Sequence, residues 1–147
     1  MVEKVDEQLL LILLDQWEGT YKKGLLTFWL LLLLHERPTY VFEMGQALAQ
    51  TSQGTITADE KSLYRALRRF ERIGLVESAW QPSEVGPRRR YYHLTELGIE
   101  LLRRFVRRNL LIFQDPAIAS SLTNLSNPLA QQRGISDSSE DSINTEG

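Results

Sequence analysis

Apolar side chains form two dense runs near the start of the chain. Residues 9–14 are all leucine or isoleucine, which predicts a first helix over residues 3–17. The second run predicts a helix over residues 25–35 that ends before a proline, because the residue before proline disfavours helical backbone. Gly19 and Gly24 interrupt the pattern between the runs, so we expect a break there.

The first of these helices is apolar on most of its sides and therefore needs to be covered. Either the rest of the domain or the equivalent helix of a second subunit can supply that cover. Neither apolar run approaches the roughly 20 residues that a helix needs to cross a bilayer, so we expect buried helices and no membrane partner.

The pattern becomes amphipathic after residue 38. Apolar residues at three- and four-residue spacing predict a third helix over residues 39–51 and a fourth over residues 58–73. Thr57 and Glu60 stand in capping-box spacing at the start of the fourth helix. Gly74 follows that helix, where a glycine C-cap is expected.

Two short β-prone runs follow, at residues 75–80 and 90–94. The loop between them contains two prolines and a glycine, which predicts a hairpin. Thr95 is expected to cap a last long helix over residues 96–113. The polar, acidic segment at residues 114–147 has too few large apolar residues to fold, so we expect a flexible tail.

Charge is distributed unevenly along the chain, whose net charge is −2. Residues 1–59 carry four basic and eight acidic side chains, residues 60–108 twelve and six, and residues 109–147 one and five. Screening at physiological salt limits electrostatic reach to about 8 Å, so a polyanion responds to the local excess of positive charge. The basic middle segment therefore indicates a partner such as nucleic acid.

Composition excludes several kinds of chemistry. The chain has no cysteine, which excludes disulfides, cysteine-ligated zinc and thiol nucleophiles and fits a reducing cytoplasm. His35 and His93 are far apart, and no HExxH, Gly-rich phosphate loop or GxSxG occurs. We therefore predict no enzyme activity, no metal and no cofactor. The acidic start of the chain also differs from the basic start of a signal peptide.

Basic residues follow the fourth helix at spacings of four, three and four: Lys61, Arg65, Arg68 and Arg72. Taken alone, such a stripe is typical of a solvated helix face. However, the chain has the element order of a winged helix-turn-helix: a short helix, a turn, a capped helix and a hairpin. In that fold the second of the two helices enters the major groove and contacts bases through residues near its N terminus. We predict base contacts from Lys61, Ser62 and Arg65, which match the donors and acceptors of base edges. Arg68, Arg69 and Arg72 are expected to meet phosphates or solvent.

The hairpin loop ends in three arginines, Arg88, Arg89 and Arg90, which cannot all face one side of a strand. Arg88 and Arg89 are free to reach phosphates or a narrow minor groove, and Arg90 either joins them or stays beside the sheet. Tyr91 and Tyr92 point to opposite faces, so one is expected in the core. The other either donates its hydroxyl to a phosphate or packs half-buried.

Four further aromatic residues have two interpretations: Trp17, Phe28, Trp29 and Phe42. Aromatic residues at helical spacing usually pack in a core or a dimer interface. The alternative is an effector pocket at a subunit interface. The sequence identifies no effector.

Three segments resemble the PadR family of transcriptional regulators. RPTYVFEM, at residues 37–44, is similar to the GPxxGYEI segment of that family. SLYRALRRFERIGLVES, at residues 62–78, resembles its recognition helix and first wing strand, and GPRRRYYHLTELG, at residues 86–98, resembles the end of its wing. The resemblance covers roughly residues 25–105 of this chain.

This resemblance implies a cytoplasmic bacterial repressor that binds a double-stranded DNA operator as a homodimer. It supports a DNA-binding role for these residues: Ser62, Tyr64, Arg65, Arg88, Arg89 and Arg90. Lys61 stands where glycine is common in the family, and Arg37 and Val41 also replace usual glycines. The large C-terminal domain of longer members is missing, so dimerisation is expected through the N-terminal helix and residues 96–113.

The expected fold is therefore mainly α with a small β-hairpin wing: a winged helix-turn-helix with extra N-terminal and C-terminal helices. Residues 1–24 form the N-terminal extension, residues 25–113 the DNA-binding domain with its dimerisation helix, and residues 114–147 the tail. The size, the extension and the acidic tail are similar to those of a short circadian subgroup, which implies repression in a circadian system. The alternatives are a protein-interaction adaptor on a winged-helix scaffold and a ligand-responsive sensor.

Overall fold

The computed structural model describes residues 4–127, and within them α-helices predominate, with one two-stranded antiparallel sheet. The elements are α1 (Glu7–Glu36), α2 (Val41–Thr51), α3 (Glu60–Ile73), β1 (Val76–Gln81), β2 (Arg89–Leu94), α4 (Glu96–Asn109), a 3-10 turn (Leu111–Gln114) and α5 (Pro116–Ser126). The hairpin follows the third helix. This order confirms the predicted winged helix-turn-helix, although α1 and α5 differ from expectation.

The first helix is one continuous element of 30 residues, so the predicted break between two helices is wrong. A β-carbon at Gly19 or Gly24 would meet nothing within 4 Å, and neither residue starts a turn. A glycine inside a helix costs only about 1 kcal/mol relative to alanine, which good helix formers on both sides offset. Asp6 caps the helix by accepting from the Leu9 amide at 3.1 Å.

The core lies between the C-terminal part of α1, the inner faces of α2 and α3, and the hairpin. Its buried side chains include Leu30, Leu31, Leu34, Val41, Met44, Leu48, Leu63, Leu67, Phe70, Val76, Tyr92 and Leu94. The N-terminal two-thirds of α1 contribute no buried side chain. Its long apolar run is therefore exposed within one chain. This is the run that the sequence predicts to need a cover.

The hairpin is joined to the core by a third strand-like segment. β1 and β2 pair in register from Val76 opposite Leu94 to Gln81 opposite Arg89. On the other side of β2, the Thr39 amide donates to the Tyr92 carbonyl at 3.1 Å, and the Tyr92 amide donates to the Thr39 carbonyl at 2.9 Å. Tyr92 is buried and Tyr91 only half-buried, so Tyr92 is the core member of the tyrosine pair.

The junction between α3, β1 and α4 is held by local hydrogen bonds. Gly74 adopts the left-handed conformation (φ 94°) and ends α3, as predicted. The Thr95 hydroxyl donates to the Gly74 carbonyl at 2.6 Å and accepts from the Gly98 amide at 3.2 Å, which confirms Thr95 as a cap. The start of α4 thus lies against the backbone of Leu75, whose carbonyl accepts from the Thr95 amide at 3.0 Å.

Within the described residues, the chain divides into two compact units that meet between residues 103 and 104. In the second unit α4 ends at Asn109, earlier than the predicted residue 113, and a 3-10 turn follows. Asp115 then accepts from the Ala117 and Ile118 amides and caps α5, which begins at Pro116. This helix falls inside the predicted flexible tail, because proline fits the first position of a helix as well as the end of one. The rest of the tail, from residue 128, lies outside the described residues.

Replacing Gly98 by alanine tests the junction before α4. A β-carbon there would clash with the carbonyl oxygen of Leu75. We expect Gly98→Ala to lower the free energy of unfolding by about 1–3 kcal/mol, the usual cost of overpacking, as measured by urea denaturation at fixed protein concentration. Gly19→Ala is the matched control and should stabilise the protein by about 1 kcal/mol. Equal effects of both variants would contradict the prediction.

Candidate nucleic-acid interface

α3, the predicted fourth helix, begins at Glu60, two residues later than predicted. Asp59, not Thr57, is its N-cap, and the Asp59 carboxylate accepts from the Ser62 amide at 2.8 Å. This hydrogen bond is the main cause that lowers the pKa of Asp59. Aspartate is at least as good a cap as threonine, so it wins where both stand close to a helix start. Lys61 and Ser62 therefore lie in the first turn of α3.

The two faces of α3 have opposite chemistry. Leu63, Ala66, Leu67 and Phe70 are buried against the core. The exposed face forms a shallow groove of about 410 Å³ lined by Lys61, Tyr64, Arg65, Arg68 and Arg72. The predicted basic stripe is thus separate from the apolar one, and Tyr64 lies on the basic side. Arg69 is also exposed, with its guanidinium carbon 5.5 Å from the centre of the Phe70 ring.

A buried serine fixes the turn that presents α3, and sequence reasoning missed it. The Ser52 hydroxyl donates to the Ile56 carbonyl at 3.1 Å, and the Ile56 amide donates to the Ser52 hydroxyl at 3.0 Å. Gln53 and Gly54 between them adopt positive φ angles of 55° and 79°. The short Ser-Gln-Gly segment is the signal, since serine and glycine favour such turns.

The three arginines of the hairpin have different surroundings. The Arg90 guanidinium donates through Nη2 to both Glu71 oxygens, at 3.1 and 3.2 Å, and through Nε to the Ser78 hydroxyl at 2.8 Å. Arg90 therefore ties both strands of the hairpin to α3, which is the beside-the-sheet alternative. The Arg89 guanidinium carbon lies 4.5 Å from the centre of the Tyr40 ring, and Arg88 is exposed.

A cleft of about 400 Å³ separates α3 from the hairpin and the start of α2. Its lining residues are Tyr40, Val41, Phe42, Glu60, Tyr64, Arg68, Trp80, Arg88, Arg89, Arg90 and Tyr92. Tyr64 and Arg68 line both this cleft and the groove along α3, so the two form one continuous surface. The surface joins the predicted residues of the helix with those of the hairpin.

Sequence reasoning missed the contribution of Tyr40 and Trp80 to this cleft. Phe42, which had a core or pocket interpretation, lies at the cleft with its side chain exposed. Phe28 and Trp29 are half-buried and pack edge-to-face with ring centres 5.4 Å apart. Of the remaining hairpin aromatics, Tyr91 packs against Tyr40 at 5.4 Å between ring centres.

Within residues 4–127, no cluster of three or more His, Cys, Asp or Glu side chains is arranged to hold a metal ion. His93 lies beside Glu77, with Nε2 3.4 Å from the carboxylate. No helix of the described part has the length and apolar content that a bilayer crossing requires.

Comparison with known proteins gives consistent matches. A family model described as the transcriptional regulator PadR-like family matches residues 30–104, just over half of the chain. The solved PadR-like transcriptional regulator of Bacillus cereus is 27% identical, with a TM-score of 0.57 over 74% of this chain and 97% of that one. The solved PadR family regulator of Eggerthella lenta is 26% identical, with a TM-score of 0.58 over 75% and 92%. An uncharacterized protein X of Lysinibacillus sphaericus is 27% identical over 58% of this chain and 78% of that protein.

Replacing Arg90 tests, in the absence of DNA, whether its ion pair with Glu71 holds the hairpin. We expect Arg90→Ala to lower the free energy of unfolding by about 1 kcal/mol, since the pair is only half-buried and partly screened. The same change should speed amide hydrogen exchange in β1 and β2. Arg88→Ala, which alters an exposed side chain of the same type, should change neither quantity. Identical exchange in the two variants would show that Arg90 does not hold the hairpin.

Proposed function

The chain belongs to the PadR-like family of transcriptional regulators, and on this premise we propose that it is a homodimeric repressor whose basic face binds a double-stranded operator. The family regulates transcription by binding DNA and is not enzymatic. The observation that carries the proposal is the continuous surface formed by the groove along α3 and the cleft beside the hairpin. Arginine dominates the cationic side chains of that surface, as expected for a phosphate-binding face.

We assign sequence reading to the start of α3. Lys61, Ser62, Tyr64 and Arg65 lie in its first two turns, where a recognition helix contacts base edges. Arg65 is exposed and can donate two hydrogen bonds to guanine. Lys61 adds a cation at a position where the family commonly has glycine.

We assign phosphate contacts to the cations further along the surface, Arg68, Arg72, Arg88 and Arg89, and to Arg69, the exposed neighbour of Arg68 on α3. Their exposure leaves the guanidinium groups accessible to the backbone of a duplex. Arg90 belongs to the interface in another way, because its guanidinium is engaged by Glu71 and Ser78 and so positions the hairpin.

The dimer is proposed to form through the exposed apolar part of α1 together with α4. The exposed side chains of α1 are Leu9, Leu10, Leu11, Ile12, Leu13, Leu14, Trp17 and Tyr21. A contiguous apolar patch of this kind is uncommon on a monomer and is typical of a protein interface. Leu97 and Leu101 of α4 are also exposed. A two-fold dimer would present two recognition helices to two half-sites.

We place this repressor in the bacterial cytoplasm, where an operator is accessible. The narrower proposal, repression in a circadian system, rests on similarity of size, N-terminal extension and acidic tail to a period-extending protein of the cyanobacterial clock. Altered circadian period on deletion of the gene would support it, and an unchanged rhythm would contradict it.

Two sets of arginine substitutions separate sequence reading from phosphate binding. Arg65→Ala should cost about 1–3 kcal/mol on the selected operator and little on random duplex. The double change Arg88→Ala and Arg89→Ala should weaken binding to every duplex and reduce the slope of log K against log salt by about 0.9 per lost contact.

Quantitative gel shifts over a range of salt, with an operator selected from genomic fragments, measure both effects. Arg103→Ala is the control, because Arg103 is an exposed cation that pairs with Glu100 away from this surface. If the unaltered protein shows no salt-dependent binding to any duplex, the proposal is overturned and the protein-interaction adaptor is favoured.

The dimer has its own test. Light scattering at micromolar concentration should give the mass of two chains, and the double change Leu11→Lys and Leu14→Lys should give one, because buried lysines would be left unpaired in the interface. Leu125→Lys changes a leucine on α5 that is more exposed than either of these and should leave the mass unchanged. A monomeric mass for the unaltered protein would sink this part of the proposal.

A further inference from the structure

Three exposed aromatic side chains converge on the cleft from different elements. Trp80 of β1 is 63% exposed, Phe42 of α2 is 59% exposed, and Tyr64 of α3 is 42% exposed. Single exposed aromatics are ordinary, but three around one cleft leave a large apolar area in water. Their arrangement on a basic surface points to a ligand that is both anionic and partly apolar.

Trp80 is held over the cleft by the geometry of the strand. One face of β1 carries every second residue of the strand: Val76, Ser78 and Trp80. Val76 is buried, and the Ser78 hydroxyl accepts a hydrogen bond from Arg90. Trp80 lies directly opposite Arg90 in the register of the hairpin. The core and the Arg90 contacts therefore fix the strand, and Trp80 extends beyond the core on the same face.

The charge around these aromatic rings is mainly positive. Arg68, Arg88 and Arg89 line the cleft, with Glu60 as an acidic neighbour. Arg90 is already neutralised by Glu71, so it adds no net attraction. The remaining guanidinium groups outnumber the carboxylate, and Arg89 stacks on the Tyr40 ring, which orients it without removing its charge.

We propose that this cleft holds one sugar–phosphate strand of the bound duplex, with Trp80 and Phe42 packed on deoxyribose rings and the arginines on phosphates. The inference rests on the proposed DNA binding and extends it to aromatic residues. A duplex offers no base faces, because its bases are stacked, but its backbone alternates anionic phosphates with apolar sugar edges. The cleft offers guanidinium groups for the phosphates and aromatic rings for the sugar edges.

The position of the cleft supports this occupant. It adjoins the groove along α3 through Tyr64 and Arg68, so a duplex whose bases meet Lys61 and Arg65 has its backbone beside the cleft. The strand held there contributes register rather than sequence information.

The role of Trp80 is distinguishable from that of an arginine by salt. An apolar contact releases no counterion, so its loss lowers affinity without changing the salt slope. Trp80→Ala should weaken operator binding about tenfold, the effect of removing an aromatic anchor from an interface, at every salt concentration. Trp80→Phe should retain most of the affinity, and Ile73→Ala, which removes an exposed apolar side chain outside the cleft, should retain all of it.

A spectroscopic measurement tests contact directly. The chain has three tryptophans, so the double variant Trp17→Phe and Trp29→Phe leaves Trp80 as the sole emitter. Its emission should change on titration with the operator duplex and with a random duplex, since the contact is to backbone. In Trp80→Phe, which keeps Trp17 and Trp29, the tryptophan emission should not change at the same degree of DNA saturation. The anisotropy of labelled DNA measures that saturation.

Each other outcome overturns the inference. Unchanged Trp80 emission at saturating DNA, or full affinity of Trp80→Ala, removes Trp80 from the interface while leaving DNA binding intact. Loss of the dimer in Trp80→Ala, seen by light scattering without DNA, would assign the cleft to contact between subunits. Absence of salt-dependent binding to any duplex by the unaltered protein would instead refute the proposed function itself.

Discussion

The position of the hairpin against α3 depends on one face of β2. Leu94 and Tyr92 are buried on that face, and Arg90 follows them with its guanidinium bound to Glu71 and Ser78. Because side chains alternate along a strand, two core residues and one ion pair in succession determine how the hairpin is rotated. Burial also raises the pKa of the Tyr92 phenol, which keeps it neutral inside the core. The position of the hairpin side of the cleft therefore depends on Leu94, Tyr92 and Arg90.

Features that depend on neighbouring residues could be predicted from the sequence. The amphipathic period located α2 and α3, and Gly74 and Thr95 marked the ends of helices because their chemistry acts within a few residues. The basic stripe of α3 could be placed on the exposed face for the same reason. The hairpin strands were each found within one residue of their observed bounds.

Features that depend on competition between local structures, or on residues distant in the sequence, could not be predicted from the sequence. The sequence gives no free-energy comparison between Thr57 and Asp59 as caps, nor between a glycine break and a continuous α1. The cleft is built from α2, α3, β1 and β2, whose lining residues lie up to about fifty positions apart, so Tyr40 and Trp80 carry no common local signal. The role of Arg90 depends on Glu71, nineteen residues away, and on a one-residue register within the strand.

The continuity of α1 has a consequence for how related regulators diverge. Leu30 and Leu34 anchor its C-terminal end in the core, while its exposed leucines begin at Leu9, about six turns before Leu30 on the same helix. Each residue added or lost between these parts would turn the exposed face by about 100° relative to the core. Length differences in this stretch therefore act as changes of helical phase. In the proposed dimer, a relative with the same phase would keep this assembly geometry, and one with a shifted phase would need another.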